Sequence, residues 1–205
     1  MFSIKARAFP ARQNFCPSGK DAVVSAAARG RRASGPLSVG PAIVPCMAQL
    51  EIVRGDATSP QGKGVKIIAH VCNDLGGWGK GFVSALSRRW AEPEAAYRRW
   101  HRERAHNDFG LGAVQFVQVD RYVWVANMIG QRGMRRGSKG VPVRYEAIAT
   151  ALGTVAGRAE ELGASVHMPK IGCGLAQGRW ERVRPLIEER VVRRGVAVTV
   201  YERDG

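Results

Sequence analysis

A glycine-rich stretch at residues 168–178 has the composition of a loop that binds anions through its backbone. Its glycines are Gly172, Gly174 and Gly178. The stretch begins where Pro169 ends the apolar run 164–168, which predicts a buried strand. Residues 179–190 predict a helix directly afterwards. A strand, a glycine loop and a helix start leave backbone N–H groups unpaired, and such groups can bind a phosphate.

A second stretch, residues 70–82, repeats this pattern. It follows the apolar run 65–69, which predicts a strand, and it leads into a predicted helix at residues 82–90. A single loop of this kind is about as often an ordinary turn as a ligand site, because glycine loops are common. Two such loops on two strand–helix units favour a ligand that carries two phosphates.

Composition and charge limit the classes of protein that fit. The chain has 205 residues and 45% hydrophobic residues, which is enough for one domain with an appendage. No apolar run approaches the roughly 20 residues of a membrane span, so we expect no membrane insertion. The net charge of +15 favours polyanionic partners, which include nucleic acid and phosphorylated ligands. The sequence does not specify an oligomeric state.

The cysteines and histidines do not have the spacing of a metal site. The chain has four cysteines and four histidines, without a Cys-x-x-Cys pair. Cys72 and Cys173 fall in the two glycine loops, where we expect buried, neutral thiols typical of an intracellular protein. His70 and His167 lie on apolar strands and are interpreted as core residues with hydrogen-bond partners. We therefore predict no metal and no cofactor.

Residues 1–46 differ from the rest of the chain. They contain seven basic residues and one acidic residue, and they lack a helical or strand period, so we expect disorder. One explanation is an organelle transit peptide, and another is that translation starts at Met47, which would place the protein in the cytoplasm. A nucleic-acid-binding arm is a third explanation. The segment has no apolar region of a secretory signal.

The remaining residues, 47–205, alternate predicted strands and helices. Predicted strands are 49–54, 65–69, 113–119, 122–129, 164–168 and 196–201, and predicted helices are 82–90, 94–105, 143–162 and 179–190. The order β-βαα-ββ-αβαβ predicts a three-layer α/β/α domain with a mixed central sheet of about six strands. Ligands bind at the carboxyl ends of the strands in such sheets, and both glycine loops lie there.

The predicted helix 94–105 carries a candidate nucleic-acid contact, and a predicted loop carries further basic residues. The outer face of the predicted helix 94–105 carries Arg98, Arg99, Arg102 and Arg104. The predicted flexible loop 130–141 carries Arg132, Arg135, Arg136 and Lys139. A run of this kind on a helix is more often a solvated face than a nucleic-acid reader, so nucleic acid is a secondary partner here. Tyr97, Trp100 and His101 mark the apolar side of the same helix, and Asp108 is interpreted as a turn residue.

Three segments together resemble the macrodomain, an α/β/α module that binds ADP-ribose. They are Gly-Asp-Ala-Thr at 55–58 after the first strand, the glycine loop 73–82, and Pro-Lys-Ile-Gly-Cys-Gly-Leu at 169–175 before the helix that contains Trp180. The resemblance covers residues 50–202. The last segment is most similar to the branch that contains the terminal ADP-ribose protein glycohydrolases and the yeast-type ADP-ribose-1''-phosphate phosphatases, in an actinobacterial form.

The resemblance implies a role for each matching position. Asp56 would accept a hydrogen bond from the adenine amino group, and the Ala57 amide would touch the same ring. One phosphate would bind the amides of Gly79, Lys80, Gly81 and Phe82. The pyrophosphate and the neighbouring ribose would bind the amides of Ile171, Gly172, Cys173, Gly174 and Leu175. Asn73 and Asp74 would lie near the distal ribose.

Two positions depart from the glycohydrolase pattern. Gln131 stands where that enzyme has a lysine that forms a covalent adduct, and Ala176 stands where it has a catalytic aspartate. An amide and a methyl group cannot perform these steps. An ester of ADP-ribose has a good carboxylate leaving group, however, and an oriented water would suffice to attack it. Asp74 is the candidate to orient that water, and Asn73 and Gln131 would hold ribose hydroxyls. The alternative for Asp74 is a carboxylate that binds its own loop.

Three functions remain open from the sequence. The first is hydrolysis of ADP-ribose esters on the acidic side chains of mono-ADP-ribosylated proteins, to which ADP-ribose-1''-phosphate phosphatase activity is an alternative. The second is a reader that binds free or protein-linked ADP-ribose without turnover. The third is a basic nucleic-acid-binding protein, for which affinity would fall steeply with salt.

Overall fold

A central six-stranded sheet organises the computed structural model, which describes residues 48–134 and 140–202. The sheet order is β1-β6-β5-β2-β4-β3. Its strands are β1 (Leu50–Arg54), β2 (Lys66–Asn73), β3 (Val114–Asp120), β4 (Val123–Gln131), β5 (Ser165–Pro169) and β6 (Val198–Glu202). All neighbouring strands are parallel except β3 and β4, which form the predicted antiparallel pair. The sheet is therefore mixed, as the element order indicates.

Four helices cover both faces of this sheet. They are α1 (Phe82–Arg89), α2 (Glu92–Arg102), α3 (Tyr145–Leu162) and α4 (Trp180–Arg190). Alternate residues of β2 point to opposite faces, as a pleated strand requires. Ile67 belongs to the large core formed with α3 and α4, whereas Ile68 packs with Leu86 of α1. Cys72 packs with Tyr97 of α2 on that second face. The predicted three-layer α/β/α architecture and its element order are confirmed.

Several predicted boundaries are wrong by a few residues. Strand β2 runs on to Asn73, because its pairing with β4 continues through the segment that the sequence assigned to the glycine loop. Helix α2 begins at Glu92, two residues before the predicted start. The proline in its first turn is compatible with this start, because the first N–H groups of a helix have no partner within the helix. It ends at Arg102, and a short 3₁₀ turn, Arg104–His106, follows. Strand β6 includes Glu202, which the prediction left outside.

The predicted C-terminal cap of α3 is correct. Helix α3 begins at Tyr145, two residues later than expected, and ends as predicted at Gly163 in the left-handed conformation. Residues 1–46, expected to be disordered, lie outside the described residues, as do Arg135, Arg136 and Lys139 of the predicted loop. In the described ranges, no helix has the length and apolarity that crossing a membrane requires.

Candidate functional site

The candidate site lies at the edge of the sheet where the parallel strands end. Asn73 ends β2, Gln131 ends β4, Pro169 ends β5 and Glu202 ends β6. Because these strands run in the same direction, their last residues meet along one edge. The loops that leave this edge carry both glycine-rich stretches. The local sequence determines that each loop directly follows a strand, and the order of the strands in the sheet brings the two loops together.

Two adjoining pockets occupy this edge. The β2 pocket has a volume of about 290 Å³ and includes Asn73, Trp78 and Gln131 in its lining. The β6 pocket has a volume of about 510 Å³ and includes Asp56 and Ala57. Both pockets share the residues of one wall, namely Gly81, Phe82, Pro169, Lys170 and Gly174. The two pockets therefore form one elongated cleft, with the glycine loops meeting at its middle.

The structure places all but one of the predicted site residues along this cleft. The β2 pocket is lined by Asn73, Gly79, Lys80, Gly81, Phe82, Gln131, Ile171, Gly172, Gly174 and Leu175. The β6 pocket adds Asp56, Ala57 and Cys173. Asp74 lines neither of these two pockets. The binding role of each residue stays a prediction, whereas their juxtaposition is a structural finding.

The first glycine loop ends at an open helix start. Gly81 precedes α1 with φ of 91°, a backbone conformation that residues with a side chain rarely adopt. No side chain among the described residues caps α1, and its first turn has no acidic residue. The helix N-terminus therefore presents its amide groups and its partial positive charge to the cleft.

The second glycine loop is closed by its own backbone. The Gly178 N–H donates to the Gly172 carbonyl oxygen at 2.7 Å, and the Gln177 N–H donates to the Gly174 carbonyl at 2.9 Å. Gly172 has φ of 71° and Gln177 has φ of 59°, both in the left-handed region. A Cβ atom on Gly178 would lie 2.6 Å from the Gly172 oxygen. Glycine at 178 is therefore needed for the close approach that shapes this loop.

Cys173 lies inside the second loop as a neutral thiol. Its Sγ donates to the Ile171 carbonyl oxygen at 3.4 Å. Burial raises the pKa of this thiol above its ordinary value, which disfavours the thiolate. Burial also raises the pKa of the Cys72 thiol. Neither cysteine is prepared to act as a nucleophile, in line with the interpretation from sequence.

Asn73 organises the loop that follows β2. Its Oδ1 accepts hydrogen bonds from the backbone N–H groups of Leu75 and Gly77, at 2.9 and 3.1 Å. Its Nδ2 donates to the Gly77 carbonyl oxygen, and the Tyr97 hydroxyl donates to the Asn73 carbonyl at 2.6 Å. The side chain is 6% exposed. Asn73 therefore fixes the first glycine loop and has little capacity left for a ligand.

Asp74 is tied to the segment that follows β4. Its Oδ1 accepts from the Gly133 N–H at 2.7 Å, and its Oδ2 lies 3.8 Å from Nε of Arg132. Gln131 donates from Nε2 to the Gly133 carbonyl oxygen at 2.8 Å. The carboxylate thus has the loop-binding contacts that the sequence left as the alternative to a catalytic role.

Asp56 and Ala57 form the far end of the β6 pocket. The Asp56 Oδ1 accepts from the Thr58 N–H at 2.9 Å, which holds the turn after β1. Ala57 is 3% exposed beneath this turn. Tyr201 and Glu202 of the neighbouring strand β6 face the same pocket.

Comparison with known proteins identifies this architecture. No protein-family model matches the sequence. A macrodomain protein from Streptomyces coelicolor is 70% identical in sequence, with a TM-score of 0.69 over 76% of this chain and 100% of that one. The chain belongs to the macrodomain family. A protein of unknown function from Bacteroides thetaiotaomicron is 52% identical, with a TM-score of 0.72 over 75% of this chain and 98% of that one.

More distant relatives of this macrodomain have named activities. The mouse chromodomain-helicase-DNA-binding protein 1-like is 27% identical over 198 residues, which are 92% of this chain and 21% of that protein. The chain thus spans about a fifth of that relative's length. The ADP-ribose 1''-phosphate phosphatase of Lodderomyces elongisporus is 22% identical over 150 residues, covering 68% of this chain and 91% of that one.

Several cleft residues of the macrodomain were not predicted as site residues. Trp78 and Met134 line the β2 pocket, Lys170 lines both pockets and Glu202 lines the β6 pocket. The sequence contains a local signal that Lys170 lies at the site, because this residue stands between Pro169 and the glycines of the second loop. Glu202 had none, because its position depends on β6 lying beside β5.

The two strand histidines of the macrodomain, His70 and His167, have hydrogen-bond partners in the core. His70 bonds through Nε2 to Asn127 Oδ1 at 2.7 Å, and burial lowers its pKa to about 4. His167 bonds to Ser165 Oγ at 2.9 Å and to the Tyr201 hydroxyl at 3.1 Å. Both histidines are buried core residues, as predicted.

One interpretation after α2 needs correction. Asp108 is more than a turn residue, because its Oδ1 accepts from the Trp100 indole N–H at 2.9 Å. His101 lies half-buried on the apolar side, where its ring packs on Gly76 and against Phe109 at 5.1 Å between centroids. Tyr97 and Trp100 are buried as expected. The arginines of the outer face are exposed.

Proposed function

We propose that this macrodomain binds ADP-ribose in the cleft between the two glycine loops. The order of groups along the cleft carries the proposal. The β6 pocket, with Asp56 and Ala57, is at one end, the two glycine loops meet at the shared wall, and the β2 pocket is at the other end. ADP-ribose has the same linear order of adenosine, diphosphate and distal ribose. Loop amides and a helix N-terminus are the groups that proteins use for phosphate.

Named relatives support this ligand. Two yeast proteins similar to the chain are ADP-ribose 1''-phosphate phosphatases, each 22% identical. A Thermosipho africanus DarTG structure in complex with ADP-ribose shares the fold, with 17% identity and a TM-score of 0.60. We infer that the adenine ring occupies the β6 pocket, where Asp56 accepts from its amino group. The distal ribose then occupies the β2 pocket beside Gln131.

The reaction that we propose is hydrolysis of ADP-ribose esters on acidic side chains. Gln131 and the buried Ala176 cannot supply a nucleophilic amine or a proton-transferring carboxylate, so attack is by water. The water adds its oxygen to the anomeric carbon of the distal ribose. The bond from that carbon to the ester oxygen breaks, and the glutamate or aspartate leaves as a carboxylate. Asp74 is proposed to orient the water and accept its proton.

Binding without turnover is the second candidate function. One observation favours it: the Asp74 carboxylate already accepts from the Gly133 N–H at 2.7 Å and lines neither pocket. A carboxylate held in that way shapes the loop after β4 and performs no proton transfer. The protein would then be a reader of protein-linked ADP-ribose.

Turnover of defined substrates separates these functions. The full chain is incubated with a protein ADP-ribosylated on glutamate, and released ADP-ribose is measured by chromatography. A serine-linked substrate and ADP-ribose-1''-phosphate are tested in parallel. The proposal predicts release from the glutamate ester alone. No turnover of any of the three substrates, together with intact ADP-ribose binding, would establish the reader.

Two substitutions of Asp74 distinguish its roles. Asp74→Asn keeps an oxygen that can accept from the Gly133 N–H, but it cannot accept a proton, whereas Asp74→Ala removes both functions. If Asp74 acts on the water, turnover falls by more than about tenfold in both variants, equivalent to about 1.4 kcal/mol of barrier. ADP-ribose affinity stays unchanged in Asp74→Asn. Full turnover in Asp74→Asn would show that the carboxylate only tethers the loop.

A further inference from the structure

Lys170 stands at the junction of the two pockets. It follows Pro169, the last residue of β5, and it belongs to the wall that the β2 and β6 pockets share. Its Nζ lies 2.6 Å from Oε1 of Glu202 at the end of the neighbouring strand β6. The same Nζ lies 5.7 Å from the ring centroid of Trp180, the first residue of α4. Three elements thus fix the position of this ammonium group.

A positive charge at this junction would attract the negatively charged diphosphate of the proposed ligand. The diphosphate of ADP-ribose carries two negative charges, whereas the two glycine loops offer amide dipoles and a helix N-terminus. The basic side chains that line the two pockets are His70, Lys80 and Lys170, and burial keeps His70 neutral near pH 7. Lys80 lines only the β2 pocket and not the β6 pocket. Lys170 is the cation present where the glycine loops meet.

We propose that Lys170 is a binding residue for the diphosphate of ADP-ribose and that Glu202 holds its ammonium group at the junction. This inference rests on the proposed function. A lysine side chain has many rotamers, so an unpaired one loses conformational entropy when it orders on a ligand. The ion pair with Glu202 orders Lys170 beforehand. An ammonium has three N–H donors, so one can serve Glu202 while others face a phosphate oxygen.

Glu202 also limits the affinity that Lys170 can supply. Its carboxylate is itself a negative charge that lines the β6 pocket, and it partly neutralises the ammonium. Both side chains are 40% exposed, so the pair contributes little to folding stability. The pair therefore acts on the electrostatics of the cleft and not on the integrity of the fold. Removing Lys170 should lower ligand affinity, whereas removing the Glu202 charge should leave affinity equal or higher, because the neutralisation by Glu202 at least offsets its ordering of Lys170.

The experiment compares three variants of the full chain by titration calorimetry with ADP-ribose, and by NMR titration with adenosine as an uncharged probe. Lys170→Met keeps much of the apolar stem and removes the charge. Its ADP-ribose Kd should rise by about tenfold, because a charge-assisted contact is lost. Its adenosine Kd should stay within about twofold of wild type. Lys170→Arg should retain ADP-ribose binding within about threefold, since the positive charge remains.

Glu202→Gln is the matched control for the ion pair. It breaks the Lys170 pair but leaves the ammonium in place, so ADP-ribose affinity should stay equal or increase. The dependence of the wild-type Kd on salt should weaken in Lys170→Met and persist in Glu202→Gln, because salt screens the contact that only the lysine makes.

The possible failures can be told apart. Unchanged ADP-ribose affinity in Lys170→Met, with a wild type that binds, would overturn this inference and leave the proposed function intact. Equal losses in Lys170→Met and Glu202→Gln would also overturn it, since they would show a structural ion pair. A wild type that does not bind ADP-ribose would overturn the proposed function and this inference together.

Discussion

At the scale of single residues, the second glycine loop depends on the absence of a side chain at Gly178. The Gly178 N–H donates to the Gly172 carbonyl oxygen at 2.7 Å, and a Cβ at 178 would lie 2.6 Å from that oxygen. Real Cβ atoms do not come so close to a backbone oxygen, so the loop must open. The amides that face the cleft would then move away from the positions that suit a phosphate.

We therefore expect Gly178→Ala to weaken ADP-ribose binding by about tenfold or more, the loss that follows when one or two phosphate hydrogen bonds fail. Titration calorimetry measures this. The matched control is Gly153→Ala in α3, where an added Cβ meets nothing within 4 Å and lies outside the cleft. Wild-type affinity in Gly178→Ala would show that the loop does not need its observed shape.

The positions of site residues were predictable from sequence only where they depend on local geometry. The glycine loops, Asp56 and Ala57 were located, because each follows a strand in the chain. The ion pair between Lys170 and Glu202 was not, because it joins residues 32 positions apart through the order of two strands. The contact between Asp74 and Gly133 likewise depends on β2 lying beside β4.

At the scale of elements, helix α3 is the long packing helix of the large core. Ile148, Leu152 and Val155 are fully buried on its sheet-facing side. Gly153 lies in the interior of the same helix, between Leu152 and Val155 in the sequence. A Cβ atom added to Gly153 would meet no atom within 4 Å. A glycine in a helix interior costs about 1 kcal/mol relative to alanine, because it loses more backbone entropy on folding.

Gly153→Ala should accordingly stabilise the protein by about 1 kcal/mol in urea or thermal unfolding. ADP-ribose affinity should not change, since α3 contributes no residue to the lining of either pocket. A loss of stability in Gly153→Ala would mean that the space around position 153 is smaller than the structure shows.

Element order was the most predictable feature of the fold. The four helices and six strands follow the sequence in the predicted order, because each long element has its own apolar period. The ends were less predictable. Strand β2 extends to Asn73 through pairing with β4, and β6 extends to Glu202 through pairing with β1. Such extensions depend on partner strands and leave no local signal.

At the scale of the whole molecule, buried histidines couple stability to pH. Burial lowers the pKa of His70 to about 4 and also lowers that of His167. Asn127 fixes the neutral form of His70, because its Nδ2 donates to the Pro93 carbonyl and its Oδ1 must accept from the histidine Nε2. Below pH 6.5 the unfolded chain binds protons at these positions while the folded chain does not, so acid favours unfolding.

We expect the free energy of unfolding to be independent of these histidines above pH 6.5 and to fall as the pH is lowered towards 4. For His70 the loss between pH 6.5 and 5 is about 2 kcal/mol. Urea unfolding at pH 7.5 and 5 measures it, and His70→Gln should flatten the difference. Equal stability at the two pH values in wild type would show that folding does not lower the pKa of His70.

The net charge of +15 does not by itself indicate a nucleic-acid surface, because the positions of the basic residues decide which anion they can bind. The exposed arginines of α2 are spread along a solvated helix face and partly paired, as in the contact of Arg98 with Glu94 at 2.8 Å. The cleft, in contrast, places Lys170 and an uncapped helix start beside each other at the shared wall. A small phosphorylated ligand therefore matches the described residues better than a nucleic-acid surface does.

Titration of the full chain with ADP-ribose by calorimetry tests the central claim most directly. The account predicts saturable binding of one ADP-ribose per chain with a Kd of about micromolar order, equivalent to about 8 kcal/mol. The affinity should fall in Asp56→Ala, because the adenine amino group loses its acceptor. A wild-type chain that shows no saturation at millimolar ADP-ribose would contradict the account, since the cleft would then not be a site for this ligand.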